Sequence, residues 1–134
     1  MKKDENAGNP GRVDVPRGDN VDVRPHLKVG LRFKHVRETG SASATPTTTY
    51  PPHPQGKFLS EVFEITTTAT FSEVVTVAIS FDGTGLTENQ KKKLKVHRND
   101  LKPKSAWDEL KSSIDTKNNI AFGETDHFSV FGVR

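Results

Sequence analysis

Between Phe63 and Asp82 the chain alternates with a period of two. Phe63, Ile65, Thr67, Ala69 and Phe71 share one parity, against Glu64, Thr66, Thr68 and Thr70 on the other. After Ser72-Glu73 the alternation resumes, with Val75, Val77, Ile79 and Phe81 on one face and Val74, Thr76, Ala78 and Ser80 on the other. β-Branched and aromatic residues at alternate positions, with no proline, predict two strands that each bury one face. The polar break at Ser72-Glu73 reads as a hairpin, or as a sharp bend from one sheet to another.

The same pattern recurs on either side. Leu27 to Val36 places Leu27, Val29, Leu31 and Phe33 inward and Lys28, Arg32 and Lys34 outward, predicting a half-buried antiparallel strand with a solvated basic stripe. Upstream, Val13-Asp14-Val15-Pro16 and Val21-Asp22-Val23-Arg24-Pro25 predict two short edge strands, each ended by proline. Arg17-Gly18-Asp19-Asn20 between them has turn chemistry, and its first three residues are also the tripeptide that integrins take from a tight loop. Residues 41–56, rich in Ser, Thr and Pro, predict a long loop crossing from one sheet to the other, with Pro51-Pro52-His53-Pro54 extended and exposed. Thr87-Glu88-Asn89-Gln90 has the form of a capping box. It opens a helix of about two turns that ends at Lys91-Lys92-Lys93, where the helix dipole favours cations. Leu94 to His97, Trp107 to Leu110, a hairpin of Ser113-Ile114-Asp115 with Ile120-Ala121-Phe122, and His127 to Val133 complete the strands. The expected fold is all-β: an antiparallel β-sandwich of roughly eight short strands with one minor helix. Residues 13–134 form its single domain, after a disordered leader over residues 1–12.

Composition narrows the function. Only 31% of the 134 residues are hydrophobic and 28% are charged, so part of the chain is expected to stay outside the core. Twenty Lys and Arg lie scattered among seventeen Asp and Glu, and a net charge of +3 points away from a nucleic-acid partner, which needs a concentrated basic face. The absence of cysteine excludes disulfides, thiolate catalysis and zinc–thiolate sites. No stretch is apolar enough to span a bilayer, and the opening Met1-Lys2-Lys3-Asp4 lacks the apolar run of a signal peptide. His26, His35, His53, His97 and His127 are widely separated and read as surface residues, while Asp82, Asp100, Asp115 and Asp126 fall in turns. No metal and no cofactor are expected.

Taken together, Ile65 to Phe71, Val75-Thr76-Val77, Asp82 to Glu88, Trp107, Ser113 to Thr116, Asn118-Asn119-Ile120, Gly123 and Phe128-Ser129 resemble a module repeated in large bacterial and archaeal surface proteins. The resemblance covers about Leu27 to Val133. It implies an extracellular or envelope β-sandwich with no general chemistry of its own. Many members carry cysteine at the positions of Ala78 and Phe122, on elements flanking the core; here packing stands in for a cross-link. The closing His127-Phe128-Ser129 also resembles the last strand of ZU5-type domains, some of which cleave themselves at a Phe–Ser bond. That likeness implies Ser129 as nucleophile, His127 as base and Phe128–Ser129 as scissile bond, by an N-to-O acyl shift.

Two functions follow as expectations. The first is a non-enzymatic structural or interaction module of the cell envelope or surface, docking on a protein partner: a host chain, or a filament to which it is an accessory subunit. The edge strands between Val13 and Val23 are its expected pairing sites. The alternative is a self-cleaving ZU5-like domain acting at Phe128–Ser129.

Overall fold

Eleven strands and one helix are formed by the residues that the computed structural model describes, 12–54, 56–101 and 106–134. Sheet A has six strands in the order β1 (Arg12–Val15), β4 (Gly40–Thr47), β5 (Val62–Thr67), β11 (Val130–Val133), β7 (Val96–Asn99) and β8 (Asp108–Glu109). Sheet B has five, in the order β2 (Gly18–His26), β3 (Val29–Glu38), β6 (Thr70–Ser80), β10 (Ile120–Thr125) and β9 (Ser112–Asp115). Every pairing is antiparallel. The chain is therefore all-β, with two antiparallel sheets and a minor helix α1 (Glu88–Lys92). Its strands exceed the roughly eight expected, and they are not all short: β2, β3 and β6 have 9, 10 and 11 residues.

The alternating stretch at the centre does form two strands, but not a hairpin. β5 lies in sheet A and β6 in sheet B, and the chain passes between them at Thr68-Ala69. Ser72-Glu73 lies inside β6, where one extra residue faces β3 between Phe33 and His35, and Glu73 takes φ +67°. A bulge, not a turn, explains that polar break. At the true crossover, threonine hydroxyls take over from the ladder. Thr67 Oγ1 donates to Ser41 O (2.8 Å) and accepts from Ala69 N (3.1 Å), while Thr68 Oγ1 accepts from Ser41 N (2.9 Å). Glu38-Thr39-Gly40 makes the reverse passage, from β3 in sheet B to β4 in sheet A, directly against it. Gly40 is what lets the two passages touch: a Cβ there would lie 2.3 Å from Ala69 N and 2.6 Å from Ala69 Cα.

Other expectations need correction as well. Leu27 shares the inward parity, yet it is 87% exposed, because Leu27-Lys28 is the tight turn between β2 and β3. The bend near the Arg-Gly-Asp triplet falls at Pro16-Arg17, and Gly18 to Asn20 begin β2, with Asp19 opposite His35. Of residues 41–56, the first seven belong to β4, and the loop that follows returns to β5 in the same sheet A rather than crossing. The leader's residues 1–11 lie outside the described residues, and Arg12 already opens β1. β1 and β2 are edge strands as expected, and Pro16 follows the end of β1, but Pro25 does not end the second strand: it lies inside β2, at the irregularity between Val23 and His26 where its missing N–H is tolerated.

Inward residues of both sheets meet in one core: Val29, Leu31 and Phe33 of β3, Val75, Val77 and Ile79 of β6, Phe63 and Ile65 of β5, Phe131 and Val133 of β11. Each such side chain, fully buried, contributes roughly 1.5–3 kcal/mol. The sheets approach closely where Gly123 of β10 faces Val96 of β7; a Cβ on Gly123 would sit 2.6 Å from Val96 Cβ. Sheet A is covered on its outer face as well. Val62 and Val130 are almost completely buried but lie outside the central core, on the face where the Phe58 ring packs over Gly132. Trp107 Nε1 donates to Pro51 O (3.0 Å) and ties the Pro-rich segment down there. Pro51 and His53 are consequently half-buried rather than exposed.

α1 starts as its sequence predicts, at a reciprocal capping box: Thr87 Oγ1 accepts from Gln90 N, and Gln90 Oε1 accepts from Thr87 N. It is shorter than two full turns. Of its lysines, Lys91 reaches across to Thr116 O (3.1 Å).

Candidate functional site

The turn from β10 to β11 carries the His127-Phe128-Ser129 step. Phe128 turns inward, its ring 6.0 Å from that of Phe33, 5.8 Å from Phe71 and 6.3 Å from Phe131. This anchors the turn in the core and leaves His127 on the outside. Ser129 extends the β11 ladder, its carbonyl accepting from Ile65 N (2.8 Å). His127 is engaged elsewhere. Its Nδ1 lies 2.6 Å from Asp126 Oδ1 and its Nε2 3.1 Å from both oxygens of Asp100. Both ring nitrogens thus face carboxylates, and the structure does not bring His127 to the Ser129 hydroxyl. Asp100, and after it Asp126, hold the His127 pKa above the ordinary histidine value. A protonated imidazole has no lone pair with which to take a proton.

Arg98 closes the cluster. Its guanidinium bonds Thr125 Oγ1 (2.8 Å), and it lies within ion-pair distance of Asp100 (3.2 Å), Asp108 (3.4 Å) and Asp126 (3.9 Å). Its Nε approaches Asp100 off-line and makes no hydrogen bond. Thr125 Oγ1 in turn donates a hydrogen bond to His127 O (2.6 Å). The result is a clasp joining the ends of β7, β8 and β10 to the last turn of the chain. It holds those elements together and presents no free nucleophile–base pair.

Its pH dependence follows from the two shifted groups. Because the His127 pKa is raised, that contribution is complete below the ordinary histidine value of about 6.5 and is lost as pH rises through the folded value. Asp126 is lowered, mainly by its hydrogen bond to His127, so its contribution is lost as pH falls through its folded value. The clasp is strongest in mild acid. His127→Gln is expected to lower stability there by no more than about 1 kcal/mol, since these groups are solvent-screened. Above about pH 8.5, well beyond the ordinary histidine value, the cost should shrink towards zero. Thermal melts of both proteins across pH measure this; a cost that grows with pH would contradict the assignment.

A second cluster lies on the outer face of sheet A. Tyr50, His53, Phe58, His97 and Trp107 stack largely edge to face, with Phe58 and Trp107 at 4.7 Å and His53 and His97 at 4.8 Å between ring centroids. His97 is 6% exposed, so it is not the surface residue that its isolation in the sequence suggests. The other histidines stand apart: His26 packs on Phe63 (4.9 Å), and His35 pairs with Asp19 (2.6 Å). Asp82 and Asp115 accept backbone N–H groups of their own turns. Among the described residues, no group of three or more His, Asp or Glu is arranged to hold a metal ion, and no helix is long and apolar enough to cross a membrane.

On the outer face of sheet B, Ala78 and Phe122 are direct cross-strand partners between β6 and β10, both half-buried. They line a shallow groove of about 530 Å³ with Gly30, Thr76 and Arg32. No family model, no curated protein and no solved structure matches the chain.

Asp100, Asp126 and His127 were visible in the sequence as turn residues and as a candidate base. Arg98, Asp108 and Thr125 were not. They meet only through the register that sets Arg98 opposite Asp108 and Phe131, and no local pattern announces that.

Proposed function

We propose that this chain is a non-enzymatic interaction module of the cell envelope or surface, a β-sandwich that docks on a protein partner by adding a strand to its open edge. The observation that carries this reading is the position of β2. It is nine residues long and, among the described residues, is paired only with β3, on one side, at the end of sheet B. Backbone groups on the other side of such a strand give affinity to an incoming segment, and side chains at the rim give specificity. Val21 and Val23 are half-buried at that rim, packed against the core, where an added strand would cover them. The resemblance to modules of large surface proteins supports the envelope setting. The direct pairing of Ala78 with Phe122 is in keeping with it, since cysteines at those positions could bond only if the two strands were neighbours.

A lysine in place of Val23 would snorkel to solvent in the free protein but would have to be buried under a docked strand. Wild type is expected to cross-link to a defined partner in the envelope fraction of its source cells. Val23→Lys, with an unchanged circular dichroism spectrum, is expected to lose it. Equal recovery by both proteins, or residence of the free monomer in the cytosolic fraction, would overturn the proposal. Intact mass should stay full length in wild type and Ser129→Ala alike; loss of Ser129–Arg134 from wild type alone would favour self-processing instead.

A further inference from the structure

We infer that residues 48–54 and 56–58 are an acid-released strap over the outer face of sheet A, with His53 on the strap and His97 on the sheet as the pair that senses the proton. The geometry sets the two rings edge to face at 4.8 Å, and His53 is also packed between Phe58 (5.6 Å) and Trp107 (6.2 Å). His97 offers Nε2 to Arg134 O (3.3 Å), while its Nδ1 is buried and meets no hydrogen-bond partner. Protonating His97 would bury a charge and leave an N–H without an acceptor, which is among the costlier changes a folded chain can undergo. Protonating both would place two cations in ring contact.

The surrounding charges mostly act in the same direction. The Arg134 guanidinium lies beside the strap and donates to Lys57 O (2.8 Å), with Gly56 against it. Lys57 lines the same groove as Tyr50, His53 and Phe58. Lys95 pairs with Arg134 through backbone bonds in both directions. Glu109, directly opposite His97 on β8, is the carboxylate that opposes the effect. Burial, with Arg134 adding to it, lowers the pKa of His53. Burial is also the largest influence on His97, which is lowered despite its bond to Arg134 O. Lowered histidines favour the neutral folded form. Their contribution is present above about pH 6.5 and is lost as pH falls through the folded values. Release would expose Phe58, Trp107, Val62 and Val130, none of which belongs to the central core; Leu59, which packs on that core and donates to Val133 O (2.8 Å), lies beyond the strap and stays in place, so both sheets can persist.

Trp107 is the single tryptophan and lies under the strap, so its emission maximum and its quenching by acrylamide read the device directly. Titrating from about pH 8 to about pH 4.5 spans the ordinary histidine value and the range below it. Wild type is expected to show a red shift and a severalfold rise in quenching constant below that value, with the far-ultraviolet circular dichroism unchanged. His53→Phe keeps a ring in place but removes the proton site, and should move the transition to lower pH. His97→Gln should do the same from the sheet side. Constant shielding of Trp107 down to about pH 4.5, an unshifted titration in His53→Phe, or loss of the β-sheet signal in step with exposure would each overturn the inference.

Discussion

Gly40→Ala is expected to destabilise the protein by about 3 kcal/mol or more, against the usual gain of about 0.5–1 kcal/mol for replacing a strand glycine. The reason is confined to one place. Two chain passages between the sheets, one after β3 and one after β5, lie in contact at Gly40, and an added Cβ would meet the backbone of Thr68 and Ala69 at 2.3–2.6 Å. Backbone cannot rotate aside as a side chain can. The passages would have to separate, breaking the Thr67 and Thr68 hydroxyl bonds to Ser41. Gly30→Ala is the matched control. Its Cβ would lie 3.8 Å from Ala78 Cβ, an ordinary contact, and its cost should stay within about 1 kcal/mol of zero. Urea unfolding of the three proteins decides the matter; similar midpoints for Gly40→Ala and wild type would mean that the passages are not packed in this way.

The same place shows what the sequence conveys and what it withholds. Alternation at Val75, Val77 and Ile79, or at Val29, Leu31 and Phe33, correctly identifies the faces that reach the core, because parity follows from strand geometry alone. Where a strand leaves its sheet is a different kind of information. Thr66, Thr67 and Thr68 are equally good strand residues, and only the hydroxyl bonds to Ser41, twenty-six and twenty-seven positions away, mark the exit. Leu27 fails for the same reason: its parity is right, and the turn that ejects it depends on His26 pairing with Val29. The candidate site divides likewise. His127 stands out in the sequence by type and position, but its partners Asp100 and Asp126 decide its chemistry. Those contacts depend on the register of three strands. His97 is the clearest loss. Nothing in Leu94 to Arg98 indicates that a Pro-rich segment more than forty residues earlier will bury it.

Ala78→Cys with Phe122→Cys is expected to close a disulfide on exposure to oxidant. Direct partners in an antiparallel pair hold their Cα atoms about 4.5–5.5 Å apart, within the span a disulfide accepts. The bond would close a loop of about 45 residues, which the chain-entropy account values at about 4 kcal/mol before strain. The oxidised variant should therefore exceed its own reduced form by about 2–4 kcal/mol, a comparison from which the lost Phe122 ring cancels. Thiol titration reads formation, and denaturant midpoints with and without reductant read the energy. Ala78→Cys with Ala121→Cys, whose side chains point to opposite faces, should stay reduced. Failure of the first pair to close would place β6 and β10 in another register. Success would add a physical reading of the natural chain. At this step Phe122 lies across from Ala78, and Gly30 lies across from Ala78 on the other side. The antiparallel ladder there joins β10 to β6 independently of the redox state around the protein.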